Sequence, residues 1–242
     1  MVLLKLDIVI PVYNNADVLN KSIYTQIDFY SKHLHNFDWN ILIANNMSTD
    51  NTLAIAKKLS DQFKRVHYLN IPKKGRGNAL KTAWLQSNAH FLSYMDVDLA
   101  TDLNAFPILI DNLVKGYDLS VGSKYIRNAK CQRYFSRYIL SKSFNIINKI
   151  IFNANFSDAQ CGFKAINKSA AQAILPKIKD TNWFFDTELL VYAQRMGFSI
   201  KEVPVKWVEL GMAKKSGVKM AKTIRDFIIK MIELRFRREI YG

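Results

Sequence analysis

The stretch "SYMDVDLATDL", residues 93–103, places three aspartates directly after an apolar and aromatic run. Asp96 and Asp98 stand one residue apart, where a buried strand is expected to end. Asp102 follows a few residues later, where a polar side chain typically caps the next helix. The stretch therefore predicts two carboxylates available for chemistry and a third with a structural role.

Short apolar segments alternate with segments of helical spacing on both sides of this stretch. Apolar, β-branched runs that end in turn-forming residues predict buried strands at 6–13, 39–46, 65–71, 90–98 and 118–126. Helical spacing with polar start signals predicts helices at 15–35, 48–63, 79–87 and 133–152. This alternation is typical of an α/β domain with a doubly wound, mostly parallel sheet. No G-x-G-x-x-G follows a predicted strand, so a dinucleotide-binding domain is not indicated.

The residues that follow the predicted strands carry the polar groups expected of a binding site. In an open parallel sheet such residues gather at one edge, beyond the carboxyl ends of the strands. They are Tyr13, Asn14, Asn45, Asn46, residues 73–78, Asp96, Asp98 and residues 122–124. Cations, glycines and a carboxylate pair at one edge suit a diphosphate bound together with a divalent metal ion.

Composition narrows the class of protein. A chain of 242 residues with 49% hydrophobic and 23% charged residues is typical of a globular domain. No apolar run approaches the roughly 18–20 residues that cross a bilayer, and the first residues lack the pattern of a signal peptide. Cys131 and Cys161 have no metal-ligand spacing and favour a reducing compartment, so we expect a cytosolic location.

The formal net charge of +15 predicts an anionic partner: a nucleic acid, a membrane surface or a phosphorylated substrate. Residues 119–157 contain seven Lys or Arg and no acidic residue, which indicates a localised positive surface. A second group of cations follows Gly211, within a predicted basic tail at 211–242. Helical spacing over residues 219–237 separates apolar from charged side chains, so this amphipathic helix is predicted to pack on the domain or to lie in a membrane interface.

Eight short pieces of the sequence form an ordered set. They are "IVIPVYNN", "ANNMSTDNT", "KKGRGNAL", "MDVDLAT", "GSK", "DAQCGFKAI", "WFFDTELL" and "EVPVKWVE". In this order they resemble the family 2 glycosyltransferases of the GT-A fold, and in particular the polyprenyl-phosphate or dolichyl-phosphate glycosyltransferases. The resemblance covers residues 6–209. It implies a catalytic domain at 1–210, with a nucleotide-sugar half at 1–100 and an acceptor half at 101–210.

The resemblance implies a metal-dependent, inverting transfer of glucose or mannose to a polyprenyl or dolichyl phosphate. The donor would be a nucleotide sugar, UDP-glucose or GDP-mannose. Asp96 and Asp98 would bind Mg²⁺ or Mn²⁺ and the sugar diphosphate, because these hard ions take oxygen ligands. The donor site is implied to be lined by Pro11, Tyr13, Asn14, Asn45, Asn46, Lys74, Arg76 and Gly77.

On the acceptor side, the resemblance implies a phosphate clamp. Lys124 stands where the family has the arginine of a G-S-R motif, and Arg137 and Ser141 have R-x-x-x-S spacing. Cations and hydroxyls suit phosphate oxygens. A lipid phosphate is already an anion, so positioning and charge stabilisation are expected to suffice without a general base. The resemblance also implies that Asp158, Asp186 and Glu188 orient the donor sugar or hold the acceptor loop, with a structural role as the alternative, and it adds Gln160 to the substrate-binding residues.

A lipid acceptor implies a peripheral enzyme at the cytoplasmic face of an anionic membrane, since no transmembrane segment is predicted. The predicted membrane contact is the cation-rich segment 124–149, which also carries Tyr134, Phe135, Tyr138 and Ile139.

The sequence also departs from the family and leaves other hypotheses open. Asn45 and Asn46 stand where the family has an acidic pair, and Asn15 replaces a glutamate, so the nucleotide preference stays open. A family 2 enzyme with a saccharide hydroxyl as acceptor would need a carboxylate base, for which Asp186 is the candidate. A non-catalytic basic protein would bind nucleic acid with strong salt dependence. The sequence contains no recognised nucleic-acid motif, so we expect no nucleic-acid partner.

Overall fold

Seven strands form the central sheet of the protein, for which a computed structural model describes residues 3–209 and 220–237. In chain order the strands are β1 (Leu4–Val12), β2 (Phe37–Asn45), β3 (Val66–Asn70), β4 (Phe91–Met95), β5 (Leu119–Ser123), β6 (Lys130–Gln132), β7 (Phe163–Asn167), β8 (Ile200–Pro204) and β9 (Lys206–Val208). The order across the main sheet is β3-β2-β1-β4-β7-β5-β8, while β6 and β9 form a separate two-stranded sheet.

Helices cover both faces of the main sheet. They are α1 (Ala16–His33), α2 (Thr52–Gln62), α3 (Arg76–Gln86), α4 (Phe106–Val114), α5 (Phe135–Phe152), α6 (Lys168–Ile174), α7 (Phe185–Arg195) and α8 (Met220–Arg235). One core cluster joins the sheet to α1, α2 and α4, and the other joins it to α3, α6, α7 and α8. The predicted doubly wound, mostly parallel α/β fold is confirmed.

The first strand shows why this sequence forms a buried parallel sheet. Ile8, Val9 and Ile10 are fully buried, because successive side chains point to opposite faces and helices cover both faces. β1 pairs in parallel with β2, where Ile8 lies opposite Ile41, and with β4, where it lies opposite Ser93. Parallel pairing brings the carboxyl ends of these strands to one edge, so the residues that follow them meet there.

Sequence patterning does not predict β7, which lies antiparallel between β4 and β5. Its sequence, FKAIN, contains Lys164, whose charge interrupts the apolar run expected of a central strand. The Lys164 side chain is nonetheless buried, and its ammonium lies 3.0 Å from the Asp186 carboxylate. A buried charge requires such a partner, and this partner is remote in sequence. The predicted start of α3 also differs, since this helix begins at Arg76 rather than at residue 79.

The two-stranded sheet of β6 and β9 lies beside the acidic stretch. Thr101 forms a bridge with Trp207, and the backbone N–H of Asp102 donates to the Lys206 carbonyl oxygen at 2.9 Å. The Asp102 carboxylate accepts the backbone N–H of Asn104 at 3.0 Å and caps the 3₁₀ turn Leu103–Ala105. The predicted structural role of Asp102 is confirmed.

The C-terminal helix α8 packs on the domain through its apolar side. Met231 and Leu234 are fully buried in one of the two core clusters. The Phe227 ring lies between Phe144 and Phe184, at centroid distances of 5.2 and 5.6 Å. This packing is one of the two alternatives that the amphipathic pattern predicts.

Ion pairs fix the charged side of α8 to the domain. Lys230 pairs with Asp180, and Arg237, just beyond the helix, pairs with Glu188 at 3.0 Å. Among the described residues, no helix combines the length and apolar character needed to cross a bilayer. The rest of the predicted tail, residues 210–219 and 238–242, lies outside the described residues.

Candidate active site

Two cavities lie side by side at the edge of the sheet where β1, β2 and β4 end. The first, called the edge cavity, has a volume of about 380 Å³ and is lined by residues at the ends of these three strands, by residues 74–76, and by Asn182 and Trp183. The second, called the helix cavity, has a volume of about 430 Å³ and extends between α5 and α8. Asp96 and Trp183 line both cavities, so the two spaces meet at these side chains.

Loop residues with polar and aromatic side chains surround the edge cavity. The Lys74 ammonium lies 3.9 Å from the centre of the Tyr13 ring, and Asn46 Oδ1 accepts the backbone N–H of Gly75 at 2.6 Å. Gly75 has a φ of 150°, and a Cβ there would lie 2.3 Å from the Thr181 carbonyl oxygen. Only glycine therefore allows this loop to lie so close to the segment that precedes α7.

The acidic pair sits on the wall of the edge cavity. Asp96 Oδ1 accepts a hydrogen bond from Arg76 at 2.8 Å, and its Oδ2 faces the backbone of Gly162. A Cβ on Gly162 would lie 1.9 Å from that oxygen, so glycine is required for this position of the carboxylate. Asp98 Oδ1 accepts the backbone N–H of Ala100 at 3.0 Å. Desolvation in the cavity and the neighbouring Asp96 charge raise the pKa of Asp98.

The donor atoms of this pair fit a hard divalent cation. Both Asp96 and Asp98 line the edge cavity. Among the described residues, no group of three or more His, Cys, Asp or Glu side chains is arranged to enclose a metal ion. Mg²⁺ commonly binds through one or two carboxylates plus water and substrate phosphates, which is the arrangement that two carboxylates beside an open cavity allow.

A buried ionic network supports the Asp96 side of the cavity. Asp186 Oδ2 lies 2.8 Å from Arg76 Nη1, and Asp186 Oδ1 lies 3.0 Å from Lys164 Nζ. The Tyr94 hydroxyl donates to the same Oδ1. Burial alone would raise the pKa of Asp186, but the Lys164 and Arg76 charges and the Tyr94 hydrogen bond lower it overall. Asp186 is therefore held as a carboxylate whose two oxygens already have partners.

Cations are grouped at one end of the helix cavity. Lys124 Nζ lies 2.7 Å from the buried Asp158 carboxylate, and Arg137 pairs with Glu209. Burial alone would lower the pKa of Lys124, but nearby Cys161 and Asp158 raise it, so this lysine stays charged. Arg133 also lines the cavity, and its Nε lies 4.0 Å from the Glu209 carboxylate.

The other part of the helix cavity is apolar. Its lining comes from facing residues of α5 and α8: Leu140, Phe144, Ile147, Phe227, Ile228 and Met231. Ser141 lies between the apolar and cationic parts, and its hydroxyl accepts a hydrogen bond from Tyr125 at 2.6 Å. The cavity thus combines a positive end with an apolar channel, which suits an amphiphilic anion.

The structure brings most of the predicted site residues to the two cavities. The edge cavity is lined by Pro11, Tyr13, Asn46, Lys74, Arg76, Asp96 and Asp98. The helix cavity is lined by Lys124, Arg137, Ser141 and Gln160. Six predicted residues are absent from both linings: Asn14, Asn45, Gly77, Asp158, Asp186 and Glu188.

Each of these six residues has contacts elsewhere in the fold. Asn45 donates to Asn70 at 2.8 Å, and Asn14 accepts the backbone N–H of Thr49 at 2.8 Å. Gly77 packs so closely on Phe185 that a Cβ would lie 2.6 Å from its Cβ. The three acidic residues of the six form ion pairs. Asp158 pairs with Lys124, Asp186 with Arg76 and Lys164, and Glu188 with Arg237.

Several residues of the site escape the sequence prediction. They are Trp183, Gly162, Arg133, Lys164 and Glu209. Trp183 is the first residue of the piece "WFFDTELL", and Glu209 is the last residue of the piece "EVPVKWVE". Their position within pieces that resemble the family could have identified both as candidate site residues. Gly162 and Lys164 are in the piece "DAQCGFKAI", but their contacts with Asp96 and Asp186 depend on strand β7.

A nucleotide-sugar-transferring class is consistent with this fold and with two cavities that meet at Asp96 and Trp183. The model of the family described as Glycosyl transferase family 2 matches residues 7–175. The chain therefore belongs to glycosyl transferase family 2, and it is a glycosyltransferase.

Curated relatives match over most of this chain. Glycosyltransferase AglD of Haloferax volcanii is 32% identical over 212 residues, which are 87% of this chain and 34% of AglD. The dolichyl-phosphate beta-glucosyltransferase ALG5C of Trichomonas vaginalis is 29% identical, covering 96% of this chain and 72% of the relative. The dolichyl-phosphate beta-glucosyltransferase of Saccharomyces cerevisiae is 28% identical, covering 95% and 75%. This chain thus spans about a third of AglD.

Solved structures share the fold. Glucosyl-3-phosphoglycerate synthase from Mycobacterium tuberculosis, in complex with Mn²⁺, UDP and glucosyl-3-phosphoglycerate, superposes with a TM-score of 0.68. The identity is 15%, and the match covers 95% of this chain and 79% of that chain. The same enzyme with Mn²⁺ and UDP-glucose gives a TM-score of 0.65 at 14% identity. The predicted GT-A type of fold is confirmed.

Proposed function

We propose that this glycosyltransferase moves glucose from UDP-glucose to a polyprenyl phosphate of the dolichyl type, at a membrane surface. The observation that carries the proposal is the helix cavity, where three cations lie at one end of an apolar channel between α5 and α8. A phosphate head fits the cations and a polyprenyl chain fits the channel. The cavity meets the edge cavity at Asp96, where a donor sugar would have to be transferred.

The edge cavity supports binding of a nucleotide sugar. It offers Tyr13 for stacking, Lys74 and Arg76 for a diphosphate, and Asp96 and Asp98 for Mg²⁺ or Mn²⁺. When bound, the metal ion supplies positive charge that stabilises the departing nucleoside diphosphate. The names of the relatives favour glucose over mannose, and neighbours of the same fold were solved with UDP and Mn²⁺.

The proposed reaction requires the protein mainly to position the two substrates and to stabilise their negative charge. A phosphate oxygen of the acceptor attacks the anomeric carbon while the bond to the diphosphate oxygen breaks, and the nucleoside diphosphate leaves with that electron pair. Attack from the opposite side inverts an α-linked donor and yields a β-glucosyl phosphate. The attacking oxygen is already anionic, so Lys124 and Arg137 would position it without a general base.

The position of Asp186 argues against the alternative of a saccharide hydroxyl acceptor. That reaction needs a base within hydrogen-bond reach of the hydroxyl. Asp186 is 1% exposed, lines neither cavity, and has both oxygens engaged by Arg76, Lys164 and Tyr94. Asp186, the candidate base that the sequence indicates, is therefore enclosed and out of reach of a substrate hydroxyl.

The proposal is tested by a transfer assay with three donors. Wild-type protein is incubated with Mn²⁺, a short polyprenyl phosphate, and UDP-glucose, GDP-mannose or UDP-N-acetylglucosamine. We expect a β-glucosyl lipid from UDP-glucose alone, and no product when EDTA is present, with the anomeric configuration read by NMR. Nucleotide release that requires a soluble sugar acceptor would refute the lipid-phosphate acceptor. Salt-sensitive binding of nucleic acid without any transfer would refute the enzyme reading.

Exposed apolar stripes on α5 and α8 support action at a membrane surface. On α5 the stripe comprises Phe135, Ile139, Ile146 and Ile150, and Phe135 and Ile150 are each 77% exposed. Ile228 and Ile232 form a similar stripe on α8. The half-exposed Ile147 and Ile228 also line the helix cavity, so the apolar surface leads into it. The exposed cations Lys142 and Lys149 complement anionic lipid headgroups.

Replacing Phe135 and Ile150 by glutamine is expected to weaken binding to phosphatidylserine-containing vesicles roughly thirtyfold. Each residue would lose about 1 kcal/mol of apolar burial in the bilayer interface. Co-sedimentation with vesicles at low and physiological salt measures the change. Ile108→Gln is the matched control, because Ile108 is 51% exposed on α4, which packs on the opposite face of the sheet. Equal losses for the control and the double variant would refute this membrane face.

A further inference from the structure

Asp186 is a buried carboxylate that the proposed reaction does not use. It lies in the first turn of α7 and is 1% exposed. Three donors enclose it: Arg76 at 2.8 Å, Lys164 at 3.0 Å and the Tyr94 hydroxyl. Removing a charge from water at this depth is costly, and ion pairs and hydrogen bonds must offset that cost.

Arg76 connects Asp186 to the edge cavity. Its Nη1 donates to Asp186 and its Nη2 donates to Asp96, both at 2.8 Å. The guanidinium carbon lies 5.0 Å from the centre of the Trp183 ring and 5.1 Å from the centre of the Tyr94 ring. The planar fork is therefore divided between two carboxylates and also contacts two aromatic rings.

Lys164 supports the same carboxylates from the other side. Besides Asp186, its ammonium donates to the carbonyl oxygens of Cys161 at 2.5 Å and Ala159 at 3.2 Å. These carbonyls belong to the loop that places Gly162 against the Asp96 carboxylate, and the Asp96 backbone N–H donates to the Gly162 carbonyl oxygen at 3.2 Å. The network thus contacts Asp96 through Arg76 and through this loop.

We propose that Asp186 is a positioning residue that keeps the Asp96 carboxylate available to a divalent cation by retaining half of the Arg76 guanidinium. The inference rests on the proposed use of Asp96 and Asp98 as metal ligands. Two cations, Arg76 and Lys164, balance two carboxylates, Asp96 and Asp186. Without the Asp186 charge, Arg76 would turn both of its donors to Asp96 and the site would gain one positive charge. Both changes weaken the binding of a cation.

The test is Asp186→Asn, measured by calorimetric titration of Mn²⁺ into the protein in the presence of UDP. We expect Mn²⁺ to bind at least tenfold more weakly, the loss typical when a group that orients a metal ligand is removed. Binding of UDP without metal is expected to be undiminished, because the site becomes more positive. Asp118→Asn is the matched control: Asp118 accepts hydrogen bonds from Ser199 and Asn167 at the start of β5, away from both cavities.

A second variant keeps the inference testable if Asp186→Asn does not fold. Arg76→Lys preserves the charge but removes the fork that reaches two carboxylates, and we expect a similar tenfold loss of Mn²⁺ affinity. In the Arg76→Lys background, a further Asp186→Asn change is expected to add less than threefold, since Asp186 acts through Arg76.

Three outcomes separate the possibilities. Weaker Mn²⁺ binding with unchanged or tighter binding of metal-free UDP supports the inference. Wild-type Mn²⁺ affinity in Asp186→Asn would overturn it whether or not turnover is lost, while the proposed use of the donor would stand. Wild-type protein that binds UDP with no contribution from Mn²⁺ would overturn both the inference and the metal-dependent part of the proposed function.

Discussion

Asp98→Ala is expected to reduce glucose transfer by about 10²–10³-fold, and Asp96→Ala by at least as much. Both residues line the edge cavity, and their carboxylates are oxygen donors that fit Mg²⁺ or Mn²⁺. Metal-assisted stabilisation of a leaving diphosphate contributes several kcal/mol to the transition state, and 3–4 kcal/mol corresponds to about this factor. The raised pKa of Asp98 agrees with a carboxylate that gains from a nearby cation. Steady-state kcat/KM for UDP-glucose with saturating Mn²⁺ is the measurement.

The matched control comes from the same stretch of sequence. Asp102 caps a 3₁₀ turn, and its carboxylate lies 3.9 Å from Lys206 on the side of β9, outside both cavities. Asp102→Ala should therefore cost about 1 kcal/mol of folding free energy and leave kcat/KM within twofold of wild type. If Asp98→Ala retained near-normal turnover in EDTA-treated buffer, the acidic pair would have no metal-binding role.

The sequence predicted the parts of the fold that local patterns determine. Apolar runs followed by Asn or Asp give β1, β2 and β4, and the rule that ligands lie beyond the carboxyl ends of parallel strands placed Asp96 and Asp98 at a cavity. Asp102 could be assigned to capping because caps depend on neighbours in sequence.

What the sequence could not predict depends on pairs that are distant in the chain. The sequence pattern does not predict β7, because the charged Lys164 interrupts its apolar run. Lys164 can be buried in the core because it pairs with Asp186, which is remote in sequence. Asp186 and Glu188 line neither cavity, because Asp186 pairs with Arg76 and Lys164 and Glu188 pairs with Arg237. Such placement follows from three-dimensional packing, and residue type alone makes each carboxylate an equally good candidate base.

The helix cavity also depends on packing that the sequence does not reveal. α5 and α8 are separated by a large part of the chain, yet their facing phenylalanines, Phe144 and Phe227, meet at 5.2 Å. Each helix taken alone is an ordinary amphipathic segment. Paired, they form an apolar channel whose positive end holds the predicted Lys124, Arg137 and Ser141.

Arg137→Ala is expected to raise the KM for polyprenyl phosphate about 10–100-fold while UDP-glucose binding stays within twofold. A hydrogen bond to a charged group contributes roughly 1.5–3 kcal/mol, which corresponds to about this range in affinity. Arg137 lines the helix cavity only, so the donor side should not respond. The fold should survive, because Glu209 keeps the Tyr134 backbone N–H at 3.2 Å and Arg133 as partners. Acceptor titrations at fixed UDP-glucose, with calorimetry of UDP binding, measure the two effects separately.

Two further variants sharpen this division between the cavities. Arg127 belongs to the same cation-rich segment but is exposed and outside both linings, so Arg127→Ala should leave the acceptor KM unchanged. Arg137→Lys keeps the charge but loses the fork, so its acceptor KM should fall between wild type and Arg137→Ala. An equal loss of donor and acceptor binding in Arg137→Ala would contradict separate sites. Arg127→Ala could instead raise the acceptor KM as much as Arg137→Ala does. The KM would then depend on net charge alone, and these cations would serve only to attract an anionic surface.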